Sequence, residues 1–232
     1  MLFGLGEKAA AEFDSPRIVY VDHKADQGTL SDSLTQARRY YISRGSEVGI
    51  DRGNKLNVYR EKKVAYNIDL MMRIFIGTMI ITNTSTGSSI GRFEANATAI
   101  GQPTIKYKSP MKDDIVVPRM IIASGVLFDP GKADLKAKAG EEFEKIANFV
   151  QHFSPAKLVI EGHTDADGER DANERLSKMR ANVVRGFLVG EYDFISPNMI
   201  EALGYGEDRP IVNNNTPENK ALNRRIEVIV WE

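Results

Sequence analysis

The apolar residues of this chain follow two different periods, and the change between them near residue 118 constrains the fold more than any other feature. Before it, short β-branched and aromatic runs are separated by Gly, Asn, Ser and Thr, which is how an all-β domain reads. Tyr40–Ser43, Lys55–Tyr59, Leu70–Thr82 and Ser89–Glu94 are the expected strands, and Arg17–Asp22 has the pattern of one more short strand. After it, runs suited to strands alternate with helical stripes. Met120–Phe128, Lys157–Ile160, Met199–Leu203 and Arg225–Trp231 are the runs, and helices are expected over Ala137–Phe153 and Glu169–Tyr192. In the first helix Phe143, Ile146, Ala147 and Val150 form one apolar stripe, and in the second Leu176, Met179, Val183, Phe187 and Leu188 do the same. Such stripes must be buried against another layer, so a helix-on-sheet sandwich follows.

The expected fold class is therefore α+β, with a small N-terminal all-β barrel or sandwich followed by an α/β sandwich whose helices pack on a mixed sheet. Residues 1–30 mix Gly, Ala and charge without a sustained period and read as a tail. The β domain is placed at 31–102. A linker at 103–118 is marked by Pro103, Pro110 and Pro118, and the second domain is placed at 119–232.

Composition narrows the chemistry. A formal net charge of -1 gives no basic excess for nucleic acid, and the absence of cysteine excludes disulfides and thiolate metal sites. The longest apolar stretch, Leu70–Ile81, is interrupted by Arg73 and is far shorter than the ~20 residues a membrane helix needs. Met1–Phe13 has neither a basic leader nor a long apolar core, so no intact signal peptide is expected there. No cofactor is expected.

The informative segment is Glu161-Gly-His-Thr-Asp-Ala-Asp-Gly168, followed by Asn173-Glu-Arg-Leu-Ser-Lys-Met-Arg-Ala181 and Asn223-Arg-Arg-Ile-Glu227. A strand ending near Ile160 breaks at Asp165–Gly168, and a helix begins a few residues later, so polar groups at the strand exit face the helix start. Asn173 and Arg180 lie seven residues apart, two helical turns, and project from one face. A carboxylate near the turn and a guanidinium on that face suit a zwitterion: the first holds an ammonium, the second a carboxylate through two parallel hydrogen bonds.

At these residues the chain resembles the OmpA-like family of peptidoglycan-binding domains. Phe128-Asp-Pro-Gly-Lys-Ala-Asp-Leu135 is similar to the family's opening strand and loop, and Ile160-Glu-Gly-His-Thr-Asp165 to its strand exit. Asn173–Ala181 is similar to its Asn-x-x-Leu-Ser-x-x-Arg-Ala signature, and Gly204-Tyr-Gly206 with Asn223–Glu227 to its terminal part. The resemblance covers about half the chain. It implies non-covalent binding of the diaminopimelate stem peptide of peptidoglycan, with Asp165 on the ammonium and Arg180 on the carboxylate. By the same resemblance Asn173 orients the site, Asp134 with neighbouring backbone amides lines the rim, and Arg225 supports the acidic wall. Pro130-Gly131 and Ala133 depart from the family's usual opening loop, which bears on Asp134.

Plainer readings apply to the same residues. An acidic residue after a strand is commonly a turn former or helix cap, and a helix arginine is commonly a solvated charge. Glu161, His163 and Asp165 invite a metal or hydrolase reading, but the other histidines are His23 and His152, so a multi-histidine site would need a distant partner. The expected function is thus anchoring of an envelope protein to the wall in the periplasm or at the outer membrane, without catalysis. The alternative is a structural part of a flagellar motor or secretion assembly in which wall binding is secondary. The N-terminal β pattern is faintly similar to small barrels of flagellar T-ring proteins, which implies an envelope protein partner for that half.

Overall fold

The computed structural model describes residues 15–22, 38–65, 68–96 and 109–231. The remainder of the tail and linker segments, including residues 1–14 and 103–108, lies outside the described residues. The strands are β1 (Ile18–Asp22), β2 (Arg39–Ile42), β3 (Lys55–Ala65), β4 (Ile68–Ser85), β5 (Ser88–Ala95), β6 (Ile115–Ala123), β7 (Lys157–Gly162), β8 (Ile200–Gly204) and β9 (Arg225–Trp231). The α-helices are α1 (Ser124–Leu127), α2 (Gly140–Phe153), α3 (Arg170–Glu191) and α4 (Pro217–Asn223). None is long and apolar enough to cross a membrane.

All nine strands hydrogen-bond in the order β1-β2-β5-β4-β3-β6-β9-β7-β8. The first six close on themselves. Ile18 N–H donates to the Asp114 carbonyl at 2.9 Å, Asp113 N–H to the Ile18 carbonyl at 2.8 Å, and Val116 N–H to the Pro16 carbonyl at 2.7 Å. A closed barrel leaves no unpaired edge along that seam. Its interior holds Ile18, Tyr40, Ile42, Leu56, Val58, Ile76, Met79, Ile81 and Phe93. The sharp curvature depends on Gly77, opposite a register shift at Val58/Tyr59, because a Cβ there would lie 2.3 Å from the Glu94 carbonyl oxygen.

Two segments that lie in the expected tail and linker are part of the sheet. Arg17–Asp22, within the expected tail, supplies the barrel's first strand and buries Ile18 in the core. Ile115–Pro118, the end of the expected linker, opens β6. This strand pairs with β3 over Ile115–Pro118 and with β9 over Arg119–Ala123, so one strand belongs to both halves. The change of partner falls at Pro118, which has no N–H to donate.

In the second half, β6, β9, β7 and β8 form a mixed sheet, with β7–β8 parallel and the other pairs antiparallel. α2 buries Phe143, Ile146, Ala147, Val150 and Phe153 against it, the stripe its spacing predicts. α3 differs by part of a turn. Its buried residues are Asn173, Ser177, Arg180, Ala181, Val184 and Leu188, whereas Met179 is half exposed. Small residues explain the rotation. Gly162 of β7 lies so close to α3 that a Cβ would approach the Ser177 carbonyl oxygen to 2.1 Å, and Ser177 and Ala181 are both fully buried. The rotation also carries polar Asn173 and Arg180 inward.

Candidate functional site

The chain leaves β7 at Gly162 with its next residues anchored through the backbone. His163 N–H donates to the Arg225 carbonyl at 3.0 Å and Thr164 N–H to the Gly206 carbonyl at 2.9 Å. Gly206 has φ +48° and rests against the backbone of Asn173 and Glu174, and its N–H donates to Ser177 Oγ at 2.9 Å. These bonds fix where Asp165 emerges relative to α3. Asn173 completes the frame, its Nδ2 donating to the carbonyls of Asp165 (3.3 Å) and Asp167 (3.0 Å) and to Glu207 Oε2 (2.8 Å).

Asp165, Arg180, Asn173 and Arg224 line one cavity of about 540 Å³, with Phe128, Asp129 and Thr164. The Asp165 carboxylate is ion-paired with Arg224 and also accepts from Asp167 N–H at 3.3 Å. Arg180 is 4% exposed. Its Nε donates to the Lys132 carbonyl at 2.8 Å, its Nη2 to the Asp129 carbonyl at 3.2 Å, and its guanidinium lies 5.3 Å from the Phe128 ring centroid. Burial first, then the charge of Arg224, draws the Arg180 pKa below its ordinary value, while Asp165 opposes the shift. Arg180 therefore stands as a desolvated cation held by neutral carbonyls, a strong receptor for a carboxylate. Arg224, with a side chain 43% exposed, is free to leave Asp165 for solvent or for another anion.

Three of the expected residues, Asp165, Arg180 and Asn173, come together here. Asp134 does not: it is exposed and outside the cavity lining, and the opening loop, turning at Gly131 (φ +70°), meets Arg180 through the carbonyls of Asp129 and Lys132. Arg225 does not either. It is 3% exposed on the opposite face of the sheet, bonded through Nε to Glu227 Oε1 at 2.7 Å and through Nη2 to the Arg209 carbonyl at 3.0 Å. Its neighbour Arg224 takes the place at the cavity. Adjacent residues at the start of a strand face opposite ways, so the period of two in Arg224-Arg225 was the available signal.

Glu161 and His163 share that opposite face. His163 is buried, its Nε2 is 3.5 Å from Glu161 Oε2, and burial first holds its pKa below the ordinary histidine value. Glu161 is paired with Arg209 at 3.2 Å. The alternation Glu161, His163, Asp165 therefore does not assemble one site, since only Asp165 lines the cavity with Arg180 and Arg224. No group of three or more potential metal-ligating side chains occurs among the described residues.

Residues 127–224 match the OmpA family. The chain is 39% identical over 105 residues to outer membrane porin F of Pseudomonas aeruginosa, covering 45% of this chain and 30% of the porin. It is 34% identical over 113 residues to motility protein B of Bacillus subtilis, covering 47% of this chain and 43% of that protein. This chain thus spans less than half the length of either relative. Among solved structures, a putative MotB-like protein from Desulfovibrio vulgaris matches with TM-score 0.43 and 28% identity, over 50% of this chain and 72% of that one. The cell wall anchor of the T6SS from Pseudomonas aeruginosa matches with TM-score 0.43 and 23% identity, over 52% and 85%.

Proposed function

From the OmpA-like domain that its C-terminal half carries, we infer that this chain holds peptidoglycan without cleaving it, through the diaminopimelate of the stem peptide, and so ties an envelope structure to the wall. The observation that carries the reading is the meeting of the Asp165 carboxylate with the guanidinium groups of Arg180 and Arg224 in a single open cavity at the β7–α3 junction. Binding is an exchange of partners. The ligand ammonium replaces Arg224 at Asp165, and the ligand carboxylate takes Arg180 on the inner side and the released Arg224 on the outer. Asn173 keeps the Asp165 backbone in place through the exchange.

No bond is broken in this scheme. Its support is the separation of the polar groups: Glu161 and His163, which a hydrolase would need beside Asp165, face away from the cavity and are engaged or buried. Diaminopimelate peptidoglycan lies outside the cytoplasmic membrane, so the reading places the chain in the periplasm, associated with the wall or outer membrane. A motor or secretion component is the second reading. It is favoured by the sharing of β6, which mounts the barrel rigidly on the wall-holding half and suits a protein that transmits force from an envelope partner.

The test is co-sedimentation of the full chain with purified sacculi. Diaminopimelate sacculi should pellet it, lysine-type sacculi should do so poorly because lysine lacks the second carboxylate, and Asp165→Ala or Arg180→Ala should weaken binding by about 2–4 kcal/mol. Equal pelleting by wild type and both variants would refute the pocket. No soluble muropeptides should be released.

A further inference from the structure

A second cavity, of about 340 Å³, opens where the β3–β4 hairpin crosses the outer face of β7 and β9. One wall is apolar, with Met72, Ile74, Phe75 and Ile211. The other is polar, and its charges cancel among themselves. Glu227 is held by Arg119 at 3.0 Å and Arg225 at 2.7 Å, Glu161 by Arg209 at 3.2 Å, and Arg73 lies 2.9 Å from Glu61. Among the side chains that line the cavity, what remains unmet is uncharged. Asn57 and His163 are 2% and 1% exposed and line the cavity, yet Asn57 Oδ1 and His163 Nδ1 have no hydrogen-bond partner among the described residues, while His163 Nε2 lies 3.5 Å from Glu161 Oε2.

Orphaned polar atoms on two elements beside one cavity point to a ligand, because a buried polar atom left unpaired loses its hydration without compensation. Every carboxylate and guanidinium named above already has an opposite partner, so the capacity left over is that of neutral groups. The unmet amide oxygen wants a donor, and a neutral imidazole offers one donor and one acceptor. The facing wall wants a C–H surface. A pyranose ring with hydroxyl and acetamido groups has that combination: polar at its edge, apolar across its face.

We propose that this cleft is a second binding site, for an uncharged N-acetylated saccharide, formed jointly by the barrel hairpin and the outer face of the C-terminal sheet. It rests on the wall-binding reading only for the source of the sugar, the glycan of the same polymer. Asn57 accepts from a hydroxyl or acetamido N–H, His163 pairs with a second group after a small side-chain adjustment, and Met72 and Phe75 cover the ring. Because both halves contribute walls, the site requires them to be joined.

Trp231 is the sole tryptophan and packs on two cleft residues, 5.1 Å from the Tyr59 ring and 4.5 Å from the Arg73 guanidinium, so its fluorescence reports on this cleft. The full chain is titrated with a peptide-free β-1,4-linked tetramer of N-acetylglucosamine, and separately with a sugar-free tripeptide ending in diaminopimelate. The saccharide should give a saturable change in Trp231 emission, at least tenfold weaker in Asn57→Ala and in Met72→Asp. The second variant alters a half-exposed residue at the mouth, where a charge is tolerated by the fold. Absence of a saturable response, or an identical response in wild type and both variants, overturns the proposal and leaves a water-filled seam. A silent saccharide with a binding tripeptide removes this site alone, whereas a binding saccharide with a silent tripeptide supports it and removes the stem-peptide pocket.

Discussion

The two faces of the C-terminal sheet use the same chemical groups in opposite ways. On the outer face Glu227, Arg119 and Arg225 close on one another with side chains no more than 5% exposed. At the cavity end Asp165 is paired with Arg224, whose side chain is 43% exposed. A sealed network has no exit for its partners and acts as structure, while an open pair can exchange one partner for a ligand. Exposure of the cation, more than the presence of a carboxylate and a guanidinium, separates these two arrangements; on the outer face Glu161, paired with the 42% exposed Arg209, stands with the open pair rather than with the sealed network.

The sharpest way to break that comparison is Glu227→Gln. It leaves two guanidinium groups buried without their counter-charge, so urea unfolding should show a loss of about 3–5 kcal/mol. Acid titration adds a second reading of the same network. Burial alone would raise the Glu227 pKa, but Arg119 and then Arg225 overcome it and bring it from 4.5 to about 2. A depressed folded-state value contributes stability that is complete above the unfolded value and lost as pH falls from about 4.5 through about 2. Thermal melts across that window should show the loss in wild type and a smaller slope in Glu227→Gln.

Gly162→Ala probes the junction between the two faces. Its added methyl would meet the Ser177 carbonyl, push α3 from β7 and cost about 1–3 kcal/mol, with loss of sacculus binding as Asn173 and Arg180 move. A variant of full stability and full binding would show that the close approach is not what places the site. The smallest expected effect on stability is that of Asp165→Ala. Removing it frees a half-exposed arginine, so unfolding should change by no more than about 1 kcal/mol while ligand binding falls. A stability loss as large as that of Glu227→Gln would erase the distinction between the faces.

Much of this was legible in the amino acids. The stripe of α2, the strand-to-helix break at Asp165 and the spacing of Asn173 and Arg180 follow from periodicity and turn chemistry, which act over a few residues. The buried face of α3 departs from the hydrophobic stripe at Met179, which is half exposed, and includes Ser177, whose backbone meets Gly162. Arg224 was overlooked in favour of Arg225, a one-residue displacement that changes the face of the sheet.

The sequence by itself determined which segments are strands and helices over most of the second half, and which carboxylate and guanidinium stand at the break, because local period and motif order encode both. Only the tertiary structure decided that β6 serves two halves, that the barrel closes through the segment before it, and which arginine reaches Asp165. Those outcomes depend on pairing between residues far apart in the chain, such as Ile18 with Asp114 and Arg119 with Ile229, and local pattern does not specify such partners.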